Sequence, residues 1–96
     1  MFIVSLEYGV PLEAVDALMP AHVVWLRRYY RSGLFIASGR KKPRTGGIIL
    51  ARSGNRKQLE DALARDPFIA KGAATFALIE FEPSMTAPGA EALKVL

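Results

Sequence analysis

Apolar and polar residues alternate over Phe2–Tyr8, and this period of two predicts a strand with one buried face. Beyond that strand the apolar residues recur every three or four positions, which is the spacing of an amphipathic helix. Pro11 suits the first turn of a helix, whereas Pro20 lacks the N–H group that a helix interior requires. We therefore expect a short helix from Pro11, a break or kink at Pro20, and a longer helix from Pro20 to Arg31 or Ser32.

Gly33 is a natural end for that helix, and two short apolar strands follow it, Leu34–Ser38 and Gly47–Arg52. The connection between them, Gly39–Gly46, is longer than a tight hairpin turn. We expect the two strands to be antiparallel. The connection should be a mobile loop, less ordered than the strands that flank it.

The last part of the chain predicts a second helix and a fourth strand. Asn55, with Gln58 three residues later, forms a capping box where the helix begins. The helix should end at about Arg65, because Asp66 precedes a proline and is disfavoured in the helical conformation. An apolar segment, Ala73–Glu82, then predicts the last strand.

The resulting order, β-α-β-β-α-β, predicts an α+β fold of the ferredoxin-like type, an antiparallel four-stranded sheet with both helices on one face. A sheet with one wet face should alternate apolar and polar residues, yet three predicted strands are apolar on both faces. The segments concerned are Leu34–Ala37, Ile48–Ala51 and Phe76–Ile79. Since two helices cover only one face, we expect a second copy of the chain to cover the other, in a homodimer packed sheet against sheet.

The composition fits one small domain, since 96 residues with 51% hydrophobic content provide one core. We assign residues 1–83 to this domain and residues 84–96 to a C-terminal tail. The tail residues Leu93, Val95 and Leu96 either pack on the domain or fray.

The chain has no cysteine, which excludes disulfides, thiolate chemistry and cysteine-ligated metal sites. It has a single histidine and no clustered carboxylates, so we expect no metal ion. The first strand lacks a basic leader region, and no apolar segment is long enough to span a membrane. These features predict a soluble, cytoplasmic protein with no membrane partner.

The net charge of +4 raises the question of nucleic-acid binding. Basic residues occur on both predicted helices and in the loop Arg40–Arg44, and only the loop is a dense cluster. The loop has no interleaved aromatic residues on which bases would stack, so we expect no nucleic-acid partner. Two interpretations of the loop stay open: a solvated hairpin tip, which is the simpler one, and a loop that attracts a small anionic substrate.

His22 is the only histidine, and at about 100° per residue it shares the inward side of its helix with Leu26 and Tyr29. We place it in the first turn of the longer helix. If the fold brings His22 and Asp66 together, they form a buried pair of the kind used in proton transfer. The alternative is structural: a half-buried histidine that bonds a carbonyl, and an aspartate that caps a turn. Composition and spacing alone favour the structural interpretation.

Five short segments carry a likeness through their order and spacing: Pro20-Ala21-His22, Trp25-Leu26, Ser38-Gly39, Pro43-Arg44-Thr45-Gly46-Gly47 and Asp66-Pro67-Phe68. With them the chain resembles the YCII-related proteins of the dimeric α+β barrel superfamily, from Phe2 to about Pro83. The resemblance implies a ferredoxin-like subunit, a homodimer built through the sheets, and an active site centred on His22 and Asp66. One position departs from the pattern, because many relatives have proline after the strand-end glycine, where this chain has Arg40.

In that framework Asp66 would fix the tautomer of His22 and leave the other ring nitrogen as a base. We expect a pocket between the helices and the sheet, with the basic loop at its mouth. Its expected substrate-binding residues are Tyr8, Trp25, Tyr29, Ser38, Arg44 and Phe68. Trp25 and the tyrosines are more often plain core residues, and Ser38 is at most a polar handle. Arg44 is either a solvent-facing charge or a clamp for a substrate carboxylate.

Two functions stay open on this basis. The first is a small enzyme that needs no cofactor and performs general acid/base chemistry, such as elimination, isomerisation or hydrolysis, on a small anionic or aromatic metabolite. The second is a small-molecule-binding or oligomeric regulatory module, in which His22 and Asp66 hold a ligand or brace the helix.

Overall fold

The central strand β1 (Phe2–Tyr8) has the bounds that its alternating pattern predicts. The structure, a computed structural model, describes residues 1–52 and 54–95. The other strands are β2 (Phe35–Arg40), β3 (Gly46–Ala51) and β4 (Ala74–Glu80). The helices are α1 (Leu12–Ser32), α2 (Arg56–Ala64) and α3 (Pro67–Ala70), and a short 3-10 helix spans Glu91–Val95.

The four strands form one antiparallel sheet in the order β2-β3-β1-β4, so the predicted ferredoxin-like α+β fold is confirmed. Phe2, Val4 and Leu6 point to one face, where they pack with Trp25 of α1 and Leu59 of α2. Both of these helices therefore cover the same face of the sheet. Within residues 1–52 and 54–95, no helix is long and apolar enough to cross a membrane.

The predicted break at Pro20 is wrong, because α1 runs as one helix of 21 residues. Pro20 has no N–H for the carbonyl four residues earlier, but it is exposed, so water can bond that carbonyl instead. The buried residues Val15, His22 and Trp25 lie on one stripe that continues across the proline, and packing along this stripe holds the helix together. His22 therefore lies in the middle of α1 and not in the first turn of a shorter helix.

The helix ends that depend on local chemistry agree with the sequence. Gly33 ends α1 with a φ of 85°, a left-handed conformation that glycine adopts without strain. The side chain of Asn55 begins α2 by accepting hydrogen bonds from the backbone N–H groups of Lys57 and Gln58. Both predicted ends are confirmed.

The four-residue helix α3 is an addition to the predicted elements. Asp66 is its N-cap and accepts the N–H of Phe68 at 3.0 Å, and Pro67 is its first residue. An aspartate followed by proline suits a helix start, since the carboxylate satisfies a free N–H and the proline has none to leave unpaired. The chain therefore does not form a loop after α2 but begins the new helix α3 at Asp66. The side chain of Asp66 is fully buried there.

The connection between β2 and β3 is shorter than predicted, because both strands extend into it. Arg40 belongs to β2 and Gly46 to β3, and the N–H of Lys41 bonds to the carbonyl of Gly46. A Cβ atom on Gly46 would lie 1.8 Å from the backbone oxygen of Leu6, so the close approach of β3 to β1 requires glycine here. Greater mobility of this loop stays a prediction.

The second face of the sheet carries apolar side chains from β1, β3 and β4. They alternate with the core residues and are Ile3, Ile48, Leu50 and Ile79. Ile79 is 58% exposed. The helices α1, α2 and α3 pack on the opposite face, so apart from its contact with the tail this face is open in the single chain.

The tail meets one end of the open face. Pro83–Ala87 and Leu93 form a shallow groove with Leu50 and Phe81. Leu93 is half-buried, whereas Val95 is exposed. Leu96, for which packing or fraying was the expectation, lies outside the described residues.

Candidate active site

His22 and Asp66 meet in the interior, which is the condition under which the sequence indicates a pair for proton transfer. Nδ1 of His22 lies 2.8 Å from Oδ1 of Asp66, although 44 residues separate them in the chain. Both side chains are buried, with His22 7% and Asp66 0% exposed. An ionised carboxylate only accepts hydrogen bonds, so with Asp66 ionised the proton is on Nδ1 and the lone pair is on Nε2. In this geometry the carboxylate orients the imidazole, and the imidazole has a free base on its other edge.

The beginning of α3 holds Asp66 in place. Oδ1 accepts the Phe68 N–H at 3.0 Å in addition to its bond with His22. Oδ2 is buried and has no hydrogen-bond partner in the part of the chain that the structure describes. Because a backbone N–H fixes the carboxylate, the orientation of the imidazole depends on the start of α3.

Aromatic neighbours fix the plane of the His22 ring. It stacks on Phe68 with ring centroids 4.0 Å apart and planes inclined by 13°. The Trp25 ring lies 5.4 Å away on the same helix. Tyr8 of β1 meets the far side of this group, with its ring edge-on to Phe68 at 5.7 Å. These contacts restrict rotation of the imidazole and so keep Nε2 in one place.

A cavity of about 150 Å³ lies between α1 and the sheet, and His22 is part of its wall. Since Nδ1 is bonded to Asp66, Nε2 is the ring nitrogen left to face the cavity. Most of the remaining wall is apolar and includes Leu6, Met19, Val23, Leu26, Ile49 and Phe68. An apolar cavity of about this volume holds a molecule the size of benzene. Across residues 1–52 and 54–95, no group of three acidic or histidine side chains is placed to hold a metal ion.

Among the predicted substrate-binding residues, Tyr8, Ser38 and Phe68 line the cavity. The Ser38 hydroxyl shares a hydrogen bond of 2.6 Å with the Tyr30 hydroxyl of α1. These three side chains are therefore placed where a ligand would touch them.

Trp25 and Tyr29 lie in the core and not in the cavity wall. Nε1 of Trp25 donates to the carbonyl of Ala62 at 2.9 Å, which ties α1 to α2. The Tyr29 ring packs against Trp25 and Phe35. The helical period puts both residues on the inward side of α1, but it carries no information on where along that side a cavity opens.

Arg44 forms an ion pair with Asp16 of α1 and is not among the cavity-lining residues. The hydrogen bond from Arg44 lowers the pKa of Asp16. In turn Asp16, with a smaller contribution from Tyr8, raises the pKa of Arg44. The guanidinium is thus engaged by a carboxylate of the chain itself, a partner that the sequence pattern did not indicate.

Arg40 is a cavity residue that sequence reasoning did not select. It ends β2 and lines the cavity together with Ser38, two residues earlier on the same strand. One observation in the sequence pointed to Arg40: many proteins of the family that the chain resembles have proline at this position.

Comparisons with known proteins agree with the fold. Residues 1–82 match the family model of the YCII-related domain. Comparison with curated proteins gave no match. Among solved structures, 5-chloro-2-hydroxyhydroquinone dehydrochlorinase from Burkholderia phenoliruptrix AC1100, in complex with 2,5-dihydroxybenzoquinone, is similar with a TM-score of 0.70. The two are 15% identical, and the match covers 84% of this chain and 93% of that one, so the likeness concerns the fold.

Proposed function

The chain belongs to the YCII-related family, and on that premise we propose that it is a small enzyme that performs general acid/base chemistry with His22 and Asp66. The proposed substrate is a small aromatic metabolite, and the chemistry needs no cofactor. Nε2 of His22 would take a proton from the substrate, and Asp66 would stabilise the imidazolium that forms.

One observation carries the proposal: the 2.8 Å bond between His22 and Asp66 lies at the wall of a cavity. A histidine that served only the core would need no opening at its second ring nitrogen. The volume of the cavity and its apolar wall support a ligand with one aromatic ring. The structurally similar dehydrochlorinase acts, by its name, on a small hydroxylated aromatic, which supports the same class here.

Elimination, isomerisation and hydrolysis are all compatible with this pair. In an elimination, a C–H or O–H group of the substrate gives its proton to Nε2 and its electron pair forms a new double bond. A leaving group then departs with the electrons of its own bond. The imidazolium returns its proton to solvent, which restores the base.

The test is a turnover screen of hydroxylated aromatics, with and without a halide leaving group, on wild type, His22→Gln and Arg27→Gln. We expect His22→Gln to lower kcat by about 100-fold or more, because it removes the base while keeping a side chain of similar reach. Arg27→Gln is the control, since Arg27 is an exposed α1 residue outside the cavity wall. Full turnover without the histidine would contradict the proposed base. Binding of panel members with no turnover by wild type would favour a small-molecule-binding module instead.

We also propose that the protein functions as a homodimer whose subunits meet through the open faces of their sheets. The apolar side chains on that face support this assembly. Residues 1–83 would then form the functional domain and residues 84–96 an appended tail. The cysteine-free sequence suits the reducing cytoplasm, which is the location we propose.

A further inference from the structure

We propose that Arg40 determines the specificity of the cavity and that the ligand is a small aromatic carboxylate, held by the Arg40 guanidinium with its ring toward His22. This inference rests on the proposed function, because it assigns a substrate class to the same cavity. The sequence indicated Arg44 as the residue that would bind a substrate carboxylate. The inference gives this role to Arg40 instead.

The register of the sheet places Arg40 across the cavity floor. Arg40 of β2 pairs with Gly47 of β3, and Gly47 pairs with Leu6 of β1, so the three form one row across the sheet. All three line the cavity. Neighbouring strands are about 4.8 Å apart, so β2 lies roughly 10 Å from β1 across this row. That width is suited to one ring with a substituent at each end.

Gly47 leaves the middle of this row open. A Cβ atom there would come within 3.9 Å of Leu6 Cδ1 and 3.2 Å of the Gly39 oxygen. Any larger side chain would therefore occupy the space between Leu6 and Arg40. Without it, a flat ring has room to lie over the backbone of β3.

Among the described residues, Arg40 is the only lysine or arginine that lines the cavity, and it forms no ion pair. Asp16 is hydrogen-bonded to Arg44, and Arg40 acts on Asp16 only through a weaker electrostatic attraction that further lowers its pKa. No carboxylate lies within ion-pairing distance of Arg40 among the described residues, and the cavity wall includes no aspartate or glutamate. A cationic group in a cavity wall without acids favours an anionic ligand.

The rest of the wall indicates what the anion is attached to. Met19, Val23, Leu26 and Phe68 offer apolar surface, which a free inorganic anion would not use. Ser38 is next to Arg40 on the same face of β2 and adds a hydroxyl at the polar end. An apolar ring that carries a carboxylate fits both parts.

The test compares two ligands of the same shape, para-hydroxybenzoate and para-hydroxybenzamide, by isothermal titration calorimetry. The proteins are wild type, Arg40→Gln, Arg40→Lys and the control Arg27→Gln. We expect Arg40→Gln to weaken binding of the carboxylate about tenfold and that of the amide less than about twofold, because only the carboxylate forms a charge-assisted bond. Arg40→Lys should retain most of the affinity, and Arg27→Gln should change neither ligand.

Carboxylate affinity that is unchanged in Arg40→Gln, or lost equally with that of the amide, overturns the inference. So does the absence of carboxylate binding to wild type at about 10 mM, which is weaker than any specific site of this kind should be. Arg40-dependent binding of the carboxylate, with no turnover of it or of any compound in the screen above, contradicts the proposed enzyme and leaves this inference standing. Turnover of the carboxylate that needs His22 but is unchanged in Arg40→Gln contradicts this inference and leaves the proposed enzyme standing.

Discussion

Asp66 links backbone structure and chemistry through a single oxygen atom. Its Oδ1 caps α3 through the Phe68 N–H and also accepts the bond from His22. The cap contributes to stability, and the bond to His22 orients the proposed base. Replacing Asp66 by asparagine separates the two roles. The amide oxygen can still cap α3, but the amide carries no negative charge to balance a protonated His22.

Asp66→Asn is expected to leave stability nearly unchanged and to lower kcat by about 100-fold or more. Asparagine caps a helix about as well as aspartate, but it cannot neutralise an imidazolium. Asp66→Ala should lower the free energy of unfolding by about 2–4 kcal/mol, since it leaves the Phe68 N–H and His22 Nδ1 buried without a partner. Urea denaturation and steady-state kinetics on both variants measure these effects. An Asn variant with wild-type kcat would show that the charge of Asp66 has no catalytic role.

Asp16 should give the protein a small dependence of stability on pH. Arg44 lowers the pKa of Asp16 in the folded state, so the folded chain binds this proton less tightly than the unfolded chain. The stabilisation is complete above the unfolded pKa of about 3.9 and disappears as the pH falls through the lower folded value. Asp16→Asn should therefore have a slightly lower Tm than wild type at about pH 7, and this deficit should shrink as the pH falls below about 3.9. Calorimetry across this pH range checks the prediction, and a deficit that does not change with pH would indicate a different cause.

At the scale of elements, α1 shows how packing overrides a local break. Pro20 breaks the hydrogen-bond pattern, yet the buried stripe of Val15, His22 and Trp25 continues on both sides of it. The helix is therefore continuous because its inward face is packed along its length. The short α3 shows the opposite situation, since Asp66 and Pro67 begin it through local chemistry alone.

Pro20→Ala should raise the free energy of unfolding by about 1–2 kcal/mol. A proline in a helix interior costs about 3 kcal/mol relative to alanine, and part of this is offset by the greater freedom of alanine in the unfolded chain. Pro11→Ala is the matched control, because Pro11 precedes the first turn and no helical N–H is missing there. We expect the control to be neutral or slightly destabilising. Equal effects of the two substitutions in urea denaturation would mean that the interior position carries no special cost.

At the scale of the whole molecule, the two faces of the sheet differ in what covers them. One face lies under α1 and α2, while the other presents Ile48, Leu50 and Ile79 with cover only near the tail. A contiguous apolar surface of this kind is unfavourable in water for a monomer. The proposed dimer would bury it without changing the cavity, which is on the helical side.

Ile79→Lys should convert the proposed dimer to a monomer, because it places a charge on the apolar face through which the two sheets would meet. Val24→Lys is the matched control: Val24 is 65% exposed on α1, compared with 58% for Ile79 on the open face. Light scattering at micromolar concentration is the measurement. A wild type that is a stable monomer there, or equal dissociation by both variants, would contradict the sheet interface.

The sequence alone determined the features that depend on the spacing of apolar residues or on a single residue at the end of a helix. The alternation over Phe2–Tyr8 predicted β1, Gly33 predicted the end of α1, and Asn55 predicted the start of α2. Each of these follows from backbone and side-chain chemistry within a few residues, so no distant contact can alter it easily. The inward position of His22 follows from the same kind of local rule.

Only the tertiary structure decided which inward residues meet a cavity and which charges are already paired. Trp25 and His22 share one face of α1, yet Trp25 is bonded to α2 while His22 borders an opening above β3. Arg44 and Arg40 lie in one basic segment, but Asp16 engages the first and the sheet register directs the second into the cavity. These outcomes depend on how α1, α3 and the strands stack, and stacking is set by the sum of many contacts between segments far apart in the chain.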